Sequence, residues 1–222
     1  MAHRIGVLLS GCGVYDGSEI HEATLTLLAI SNAGAEAVCM APNIDQLHVV
    51  NHLTGQPAEG ERRNVLVESA RIARGDIKDL ADATAADVDA LILPGGFGAA
   101  KNLCDYATAG PAMKVLPDVA RLIKEVHAAG KPVAAICIAP VVLAAIAGRD
   151  LGVKASVTIG SDATTAGHIV SFGAEHVNCP VKEFVVDKAN KFVTTPAYML
   201  ARNIGEAAVG IEKLVKAVID LI

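Results

Sequence analysis

The run PVAAICIAPVVLAAIA, from Pro132 to Ala147, constrains this chain more than any other stretch. An apolar strand from Pro132 to Ile136, one cysteine and an apolar helix from Pro140 to Ala147 follow one another with no room for a loop. A residue at so sharp a strand-to-helix turn is lifted out at the carboxyl edge of a sheet, with a helix N-terminus behind it. Cys137 occupies that place, and the small residues Ala135 and Ala139 beside it leave the turn uncrowded. The helix terminus predicts a thiol shifted toward thiolate, and the Ile138 amide points where an oxyanion would form. The competing reading is a buried cysteine acting only as a small hydrophobe.

Two further features favour chemistry. Leu93-Pro94-Gly95-Gly96-Phe97-Gly98 closes the strand Asp89–Leu93 with a glycine turn, whose backbone can approach a ligand closely and offer free amides. Gly95 and Phe97 are expected to line the pocket with Cys137. The run is not a phosphate loop, because Lys101 does not fall at the spacing of GxxxxGK[ST]. Glu22 precedes an uncharged stretch from Ala23 to Ala35, so its carboxylate starts a buried helix. Desolvation raises the pKa of such a group and suits it to moving a proton near neutrality, whereas Glu19 fits better as a plain complement to the helix dipole.

Elsewhere strand-like and helix-like segments alternate, the pattern of a parallel sheet wound with helices. Strands are expected at Arg4–Leu9, Ala35–Met40 and near Val157, with a hairpin in VVDKANKFVTT. Helices are expected at 18–33, opened by an Asp16/Glu19 capping box, and at 62–73, 115–129, 163–172 and 197–221. No linker or repeat divides residues 1–222, which read as one domain. Gly11-Cys12-Gly13 has its third glycine misplaced for a dinucleotide fingerprint, and Ala41-Pro42 stand where the acid should be. Cys12 nevertheless falls at the carboxyl edge, as a pocket-lining thiol or a loop-packing one. His48 and His52 have helical metal spacing without a third ligand, so no metal is expected.

With a net charge of −5 and no basic stripe, the chain offers nothing to nucleic acid or a membrane surface. Five cysteines without CxxC spacing argue for a reduced compartment, read as the cytoplasm.

LPGGFGAAKNL, AICIAP and the apolar helix behind Glu22 resemble the PfpI-type branch of the class I glutamine amidotransferase-like superfamily. SGCGVYDGSEIHEA, NHLTG, RNVLVESARIARG and TPAYMLARNI are similar to its ElbB-type members. The resemblance implies a flavodoxin-like three-layer α/β sandwich with a mainly parallel sheet and a nucleophile elbow, and a homodimer. It also implies a cofactor-free glyoxalase that turns glyoxal, a small reactive aldehyde, into glycolate through a cysteine hemithioacetal. By motif the nucleophile is Cys137, the acid Glu22, and the oxyanion amides those of Gly96 and Ile138. The superfamily histidine has no counterpart in Ser156–Asp162, and His168 and His176 lie further on. Its absence argues against amidotransferase or protease chemistry. The alternative is a non-catalytic, redox-sensing or accessory protein linked to isoprenoid metabolism.

Overall fold

The structure, a computed structural model, describes residues 2–222. Strand β1 (Arg4–Leu8) leads through a glycine-rich loop into α1 (Ile20–Asn32), and β2 (Glu36–Ala41) lies parallel to β1. A small excursion follows: the hairpin β3 (Val50–Asn51) and β4 (Gln56–Pro57), then α2 (Val65–Ile72) and the short edge strand β5 (Lys78–Asp79). The chain returns as β6 (Ala90–Leu93), α3 (Phe97–Lys101), α4 (Tyr106–Ala109), α5 (Pro117–Ala128) and β7 (Val133–Ile136). After the elbow come α6 (Pro140–Ala145), β8 (Ser156–Val157), α7 (Ala163–Ser171) and β9 (Glu175–His176). The antiparallel pair β10 (Val185–Asp187) and β11 (Phe192–Thr195), with α8 (Ile204–Ile219), completes the described chain.

The main sheet runs β10-β11-β7-β6-β1-β2-β5, parallel except at β10. Its inner strands are apolar on both sides because both faces are covered. Leu8, Leu91, Leu93, Val133 and Ala135 face one core with α5, α6 and α7 residues such as Leu122, Val142 and Ile169. Ile5, Val7, Ile92, Ala134 and Ile136 face the other, against Ala23 and Ile30 of α1 and Ile211 and Leu214 of α8. This is the flavodoxin-like α/β sandwich expected. From β1 the chain first winds outward to β2 and β5, then crosses to β6 and β7 on the other side. The carboxyl ends of β1, β6 and β7 therefore surround the point where the winding reverses, the place such sheets bind ligands.

Three local expectations are corrected. Helix α1 starts at Ile20, because the Glu19 carboxylate caps it by accepting from the Glu22 N–H at 2.7 Å. Asp16 does not cap it: its Oδ2 accepts from the Val50 N–H at 2.7 Å and ties the first loop to the β3 hairpin. The last helix starts at Ile204 behind the Asn203 cap, since Pro196 and a positive φ of 41° at Ala197 turn the chain first.

Candidate active site

Cys137 follows β7 with φ 63°, a left-handed conformation that an L-residue adopts at a cost of about 1–3 kcal/mol. The neighbours fix it there. Its N–H donates to the Thr195 carbonyl at 2.9 Å, and the next residues turn at once into α6. The side chain is 8% exposed.

Below the sulfur lies Glu22, fully buried. Glu22 Oε2 accepts from the Gly95 N–H at 3.0 Å, and Oε1 accepts from the Tyr198 N–H at 3.1 Å. Each carboxyl oxygen thus has one main-chain donor, and the carboxyl also hydrogen-bonds the Cys137 side chain. Burial pushes the Glu22 pKa up to about 8, against the pull of the Tyr198 amide, with the neighbouring Glu19 charge adding to the rise. The helix terminus predicts a depressed thiol pKa, but the structure raises it: burial acts first, then the Glu22 charge beside it. The main-chain N–H groups of Gly96 and Ile138 hydrogen-bond toward the sulfur and oppose that rise. Cys137 and Glu22 therefore form one unit that resists holding two negative charges and can pass a proton between sulfur and carboxylate.

Gly95 has no free space for a side chain. A Cβ there would stand 2.5 Å from both Cys137 Cβ and Glu22 Oε2. Gly96 has φ 94°, and a Cβ on it would collide with the Glu19 main-chain nitrogen.

A cavity of about 360 Å³ opens over the sulfur. Gly96, Phe97, Cys137 and Ile138 line it together, as the sequence groups them. Gly95, expected in the lining, is not part of it; its N–H is spent on the Glu22 carboxylate, which does not line the cavity either. Cys12 does not line this cavity: the charges around it are those of Glu68, Arg71, Asp16 and Arg63 on the α2 side, so it is not a pocket-lining thiol. Glu19, read in the sequence as a complement to the helix dipole, also lines the cavity, and the sequence gives no signal for the rest of the wall, Val14, Ala100, Tyr106, Ala107, Thr165, Tyr198 and Met199. Tyr106 hydrogen-bonds His168 Nδ1 at 2.8 Å, and Tyr198 hydrogen-bonds His21 Nδ1 at 2.7 Å. The two histidines thus reach the cavity wall only through tyrosines. His176 instead accepts from the Ile159 N–H at 3.3 Å, outside the lining. Among the described residues no group of three or more His, Cys, Asp or Glu is gathered as a metal site, and His52 pairs with the first loop, accepting from the Tyr15 N–H at 3.2 Å.

The sequence profile of the DJ-1/PfpI family matches residues 13–195, a span that includes Glu22, the glycine turn and the elbow. The chain belongs to the DJ-1/PfpI family. It is 49% identical to the human mitochondrial glutamine amidotransferase-like class 1 domain-containing protein 3, over 99% of this chain and 84% of that one. It is 47% identical to the rat mitochondrial ES1 protein homolog, over 98% and 84%. Among solved structures, an Ehrlichia chaffeensis isoprenoid biosynthesis protein with an amidotransferase-like domain superposes with a TM-score of 0.90 at 36% identity, covering 99% of this chain and all of that one. Drosophila melanogaster DJ-1beta shares the fold at a TM-score of 0.56 and 21% identity, over 100% and 96% of the chains.

These relatives overturn the cytoplasmic reading, since the human and rat proteins are mitochondrial by name. Unpaired cysteines distinguish a reducing from an oxidising compartment; they cannot separate one reducing compartment from another.

Proposed function

We propose that this DJ-1/PfpI member is a cofactor-free glyoxalase acting on small reactive aldehydes, as the ElbB-type resemblance implies. The observation that carries the reading is the Cys137–Glu22 unit, a nucleophile and a proton carrier in hydrogen-bond contact beneath two main-chain donors.

The chemistry follows from those groups. The Glu22 carboxylate takes the thiol proton as Sγ attacks one aldehyde carbon of glyoxal, a C–S bond forms, and the carbonyl electron pair moves to oxygen. The Gly96 and Ile138 amides face that oxygen while it is charged. It takes a proton from Glu22, giving the hemithioacetal. The Glu22 carboxylate next removes the hydrogen from the same carbon, producing an enediol with the neighbouring carbonyl. The proton then returns to the second carbon, leaving a thioester of glycolate. Water cleaves the C–S bond, the thiol regains its proton and glycolate departs. Glyoxal plus water becomes glycolate, with no external oxidant or reductant. A carboxyl with a pKa raised to about 8 suits both directions of this transfer near neutrality.

The test is glycolate formed from glyoxal by the wild type and by Cys137→Ala. Many turnovers per thiol in the wild type and none in the variant support the reading. The name of the Ehrlichia chaffeensis relative supports a second one, an accessory thiol protein of isoprenoid metabolism. Glycolate limited to one equivalent per thiol would favour it.

A further inference from the structure

Tyr198 is held at two points by neighbouring residues of α1. Its main-chain N–H donates to Glu22 Oε1 at 3.1 Å, and its hydroxyl hydrogen-bonds His21 Nδ1 at 2.7 Å. It belongs to the turn Ala197–Met199 and follows Ala197, whose φ of 41° an L-residue rarely adopts. A conformation of that kind persists only where the surroundings over-determine it. The Met199 N–H donates to the Pro196 carbonyl at 3.0 Å and the Ala201 N–H to the Ala197 carbonyl at 2.8 Å. These bonds shape the turn but do not place it. Among the described residues, the hydrogen bonds that join residues 196–201 to another element are both made by Tyr198, and both go to α1.

The two bonds differ in surroundings. The N–H serves a fully buried carboxylate, whereas the His21 side chain is 52% exposed and is not part of the cavity lining. So exposed an imidazole fills no core. What it fixes is the ring of Tyr198 and, through the ring, the backbone behind it. We propose that His21 is a positioning residue: by holding the Tyr198 hydroxyl it keeps the Tyr198 N–H on Glu22, and so keeps the carboxylate seated against Cys137. In its effect on turnover the proposal rests on the glyoxalase reading; in its effect on Glu22 it does not.

The electrostatic consequence has a definite sign. Burial raises the Glu22 pKa and the Glu19 charge adds to the rise, while the Tyr198 amide, the Cys137 contact and the Gly95 amide pull it down. Losing the Tyr198 donor removes one pull, so the carboxyl keeps its proton to a higher pH. A hydrogen bond to a charged group is strong enough to move that point by about one pH unit. His168 supplies a control, since it holds Tyr106 in the same way at 2.8 Å, but Tyr106 makes no hydrogen bond to Glu22.

Thermal melts against pH read Glu22 without any substrate. A group whose folded pKa exceeds its unfolded one loses stability for the fold as pH rises between the two, so a higher folded value extends that decline upward. His21→Ala and Tyr198→Phe should each extend the wild-type decline beyond its end near pH 8 by about one pH unit. Both remove the same bond, so the double variant should add nothing to either. His21→Asn, with a polar atom as far from the backbone as Nδ1, should restore the wild-type curve, and His168→Ala should leave it unmoved. In glyoxal turnover His21→Ala should lose about tenfold in kcat with KM nearly unchanged. An extension in His21→Ala that Tyr198→Phe does not share would trace the effect to the imidazole's own charge and overturn the proposal. A lowered melt with an unmoved pH dependence would also overturn it, because a purely structural bond behaves that way. The expected extension in a protein that turns over no aldehyde keeps the positioning role and sinks the glyoxalase reading.

Discussion

Cys137 and Cys104 are nearly equally hidden, at 8% and 5% exposure, yet the chain treats their sulfurs in opposite ways. Cys104 follows α3, and its thiol donates to the Ala99 carbonyl at 3.3 Å. Burial first, with the Asp105 charge adding to it, puts the Cys104 pKa at about 12 against the pull of the Tyr106 amide. Cys137 meets two amide donors, those of Gly96 and Ile138, where Cys104 meets one, and it has a carboxyl beside it to take or give the proton. Burial raises both thiols, so burial does not distinguish them. What differs is where the proton can go: the Cys104 thiol donates to a carbonyl that cannot take its proton, whereas Cys137 has a second acid in contact. The strained φ of 63° at Cys137 is the cost of turning the sulfur toward donors.

The sharpest way to break this contrast is to remove each sulfur in turn. Cys137→Ala should abolish aldehyde turnover and leave the fold intact, while Cys104→Ala should keep turnover and lose about 1 kcal/mol of stability from reduced burial. Turnover assays and chemical denaturation read the two effects. Equal activity in both variants would mean that the reaction is not thiol chemistry at the elbow.

Removing the proton carrier comes next. Glu22→Gln keeps the shape and the amide contacts but cannot exchange a proton, and kcat should fall ~100- to 10,000-fold. The variant also has a pH signature. The folded-state pKa of Glu22, about 8, lies above its ordinary value of 4.5, so the folded chain holds a proton that the unfolded chain has released. Wild-type stability should therefore fall as pH rises from about 4.5 to about 8, and Glu22→Gln should flatten that decline. Thermal melts of both proteins across this window decide it, and parallel curves would show that Glu22 is ionised in the fold.

A smaller loss is expected from Gly95→Ala, whose methyl would press on both Cys137 and Glu22. Overpacking of this kind costs ~1–3 kcal/mol, and displacement of the pair should cut turnover about 100-fold. Normal activity in a variant with a shifted melt would show that the pair tolerates displacement. The smallest effect belongs to the tyrosine-held imidazole. His168→Ala frees the Tyr106 hydroxyl at the wall but touches no reacting atom, so kcat should stay within a few-fold and the change should appear in KM. A loss as large as that of Glu22→Gln would make His168 the missing base of the site.

The elbow, the glycine turn and Glu22 were legible because each is written in consecutive residues: an apolar strand breaking into a helix, adjacent glycines, one acid before an uncharged stretch. Tyr198 was not, since its contribution to Glu22 is a backbone N–H that any residue could supply. Tyr106 and Thr165 come from separate helices whose meeting no local pattern records. The α1 cap was misassigned because Asp16 and Glu19 are both plausible caps by spacing, and only the tertiary bond of Asp16 to Val50 decides between them. The thiol went wrong in sign because the helix dipole is visible in sequence, while desolvation and the Glu22 contact exist only once the chain has folded. Cys12 reached the right edge of the sheet but the wrong side of the first loop, where Gly13 and Asp16 turn the chain toward the β3 hairpin.

The three attachments of Glu22 also set when reactivity can appear. Its carboxyl joins positions separated by 73 residues at Gly95 and by 176 at Tyr198. Contacts that span so much chain carry a large loop-closure cost and form late, after the local helices and neighbouring strands. On a growing or partly unfolded chain Cys137 therefore lacks its proton partner, and its sulfur behaves as an ordinary thiol. Only the arrival of β11 and the turn behind it supplies the Tyr198 N–H, so the assisted proton transfer is out of reach until these late elements dock.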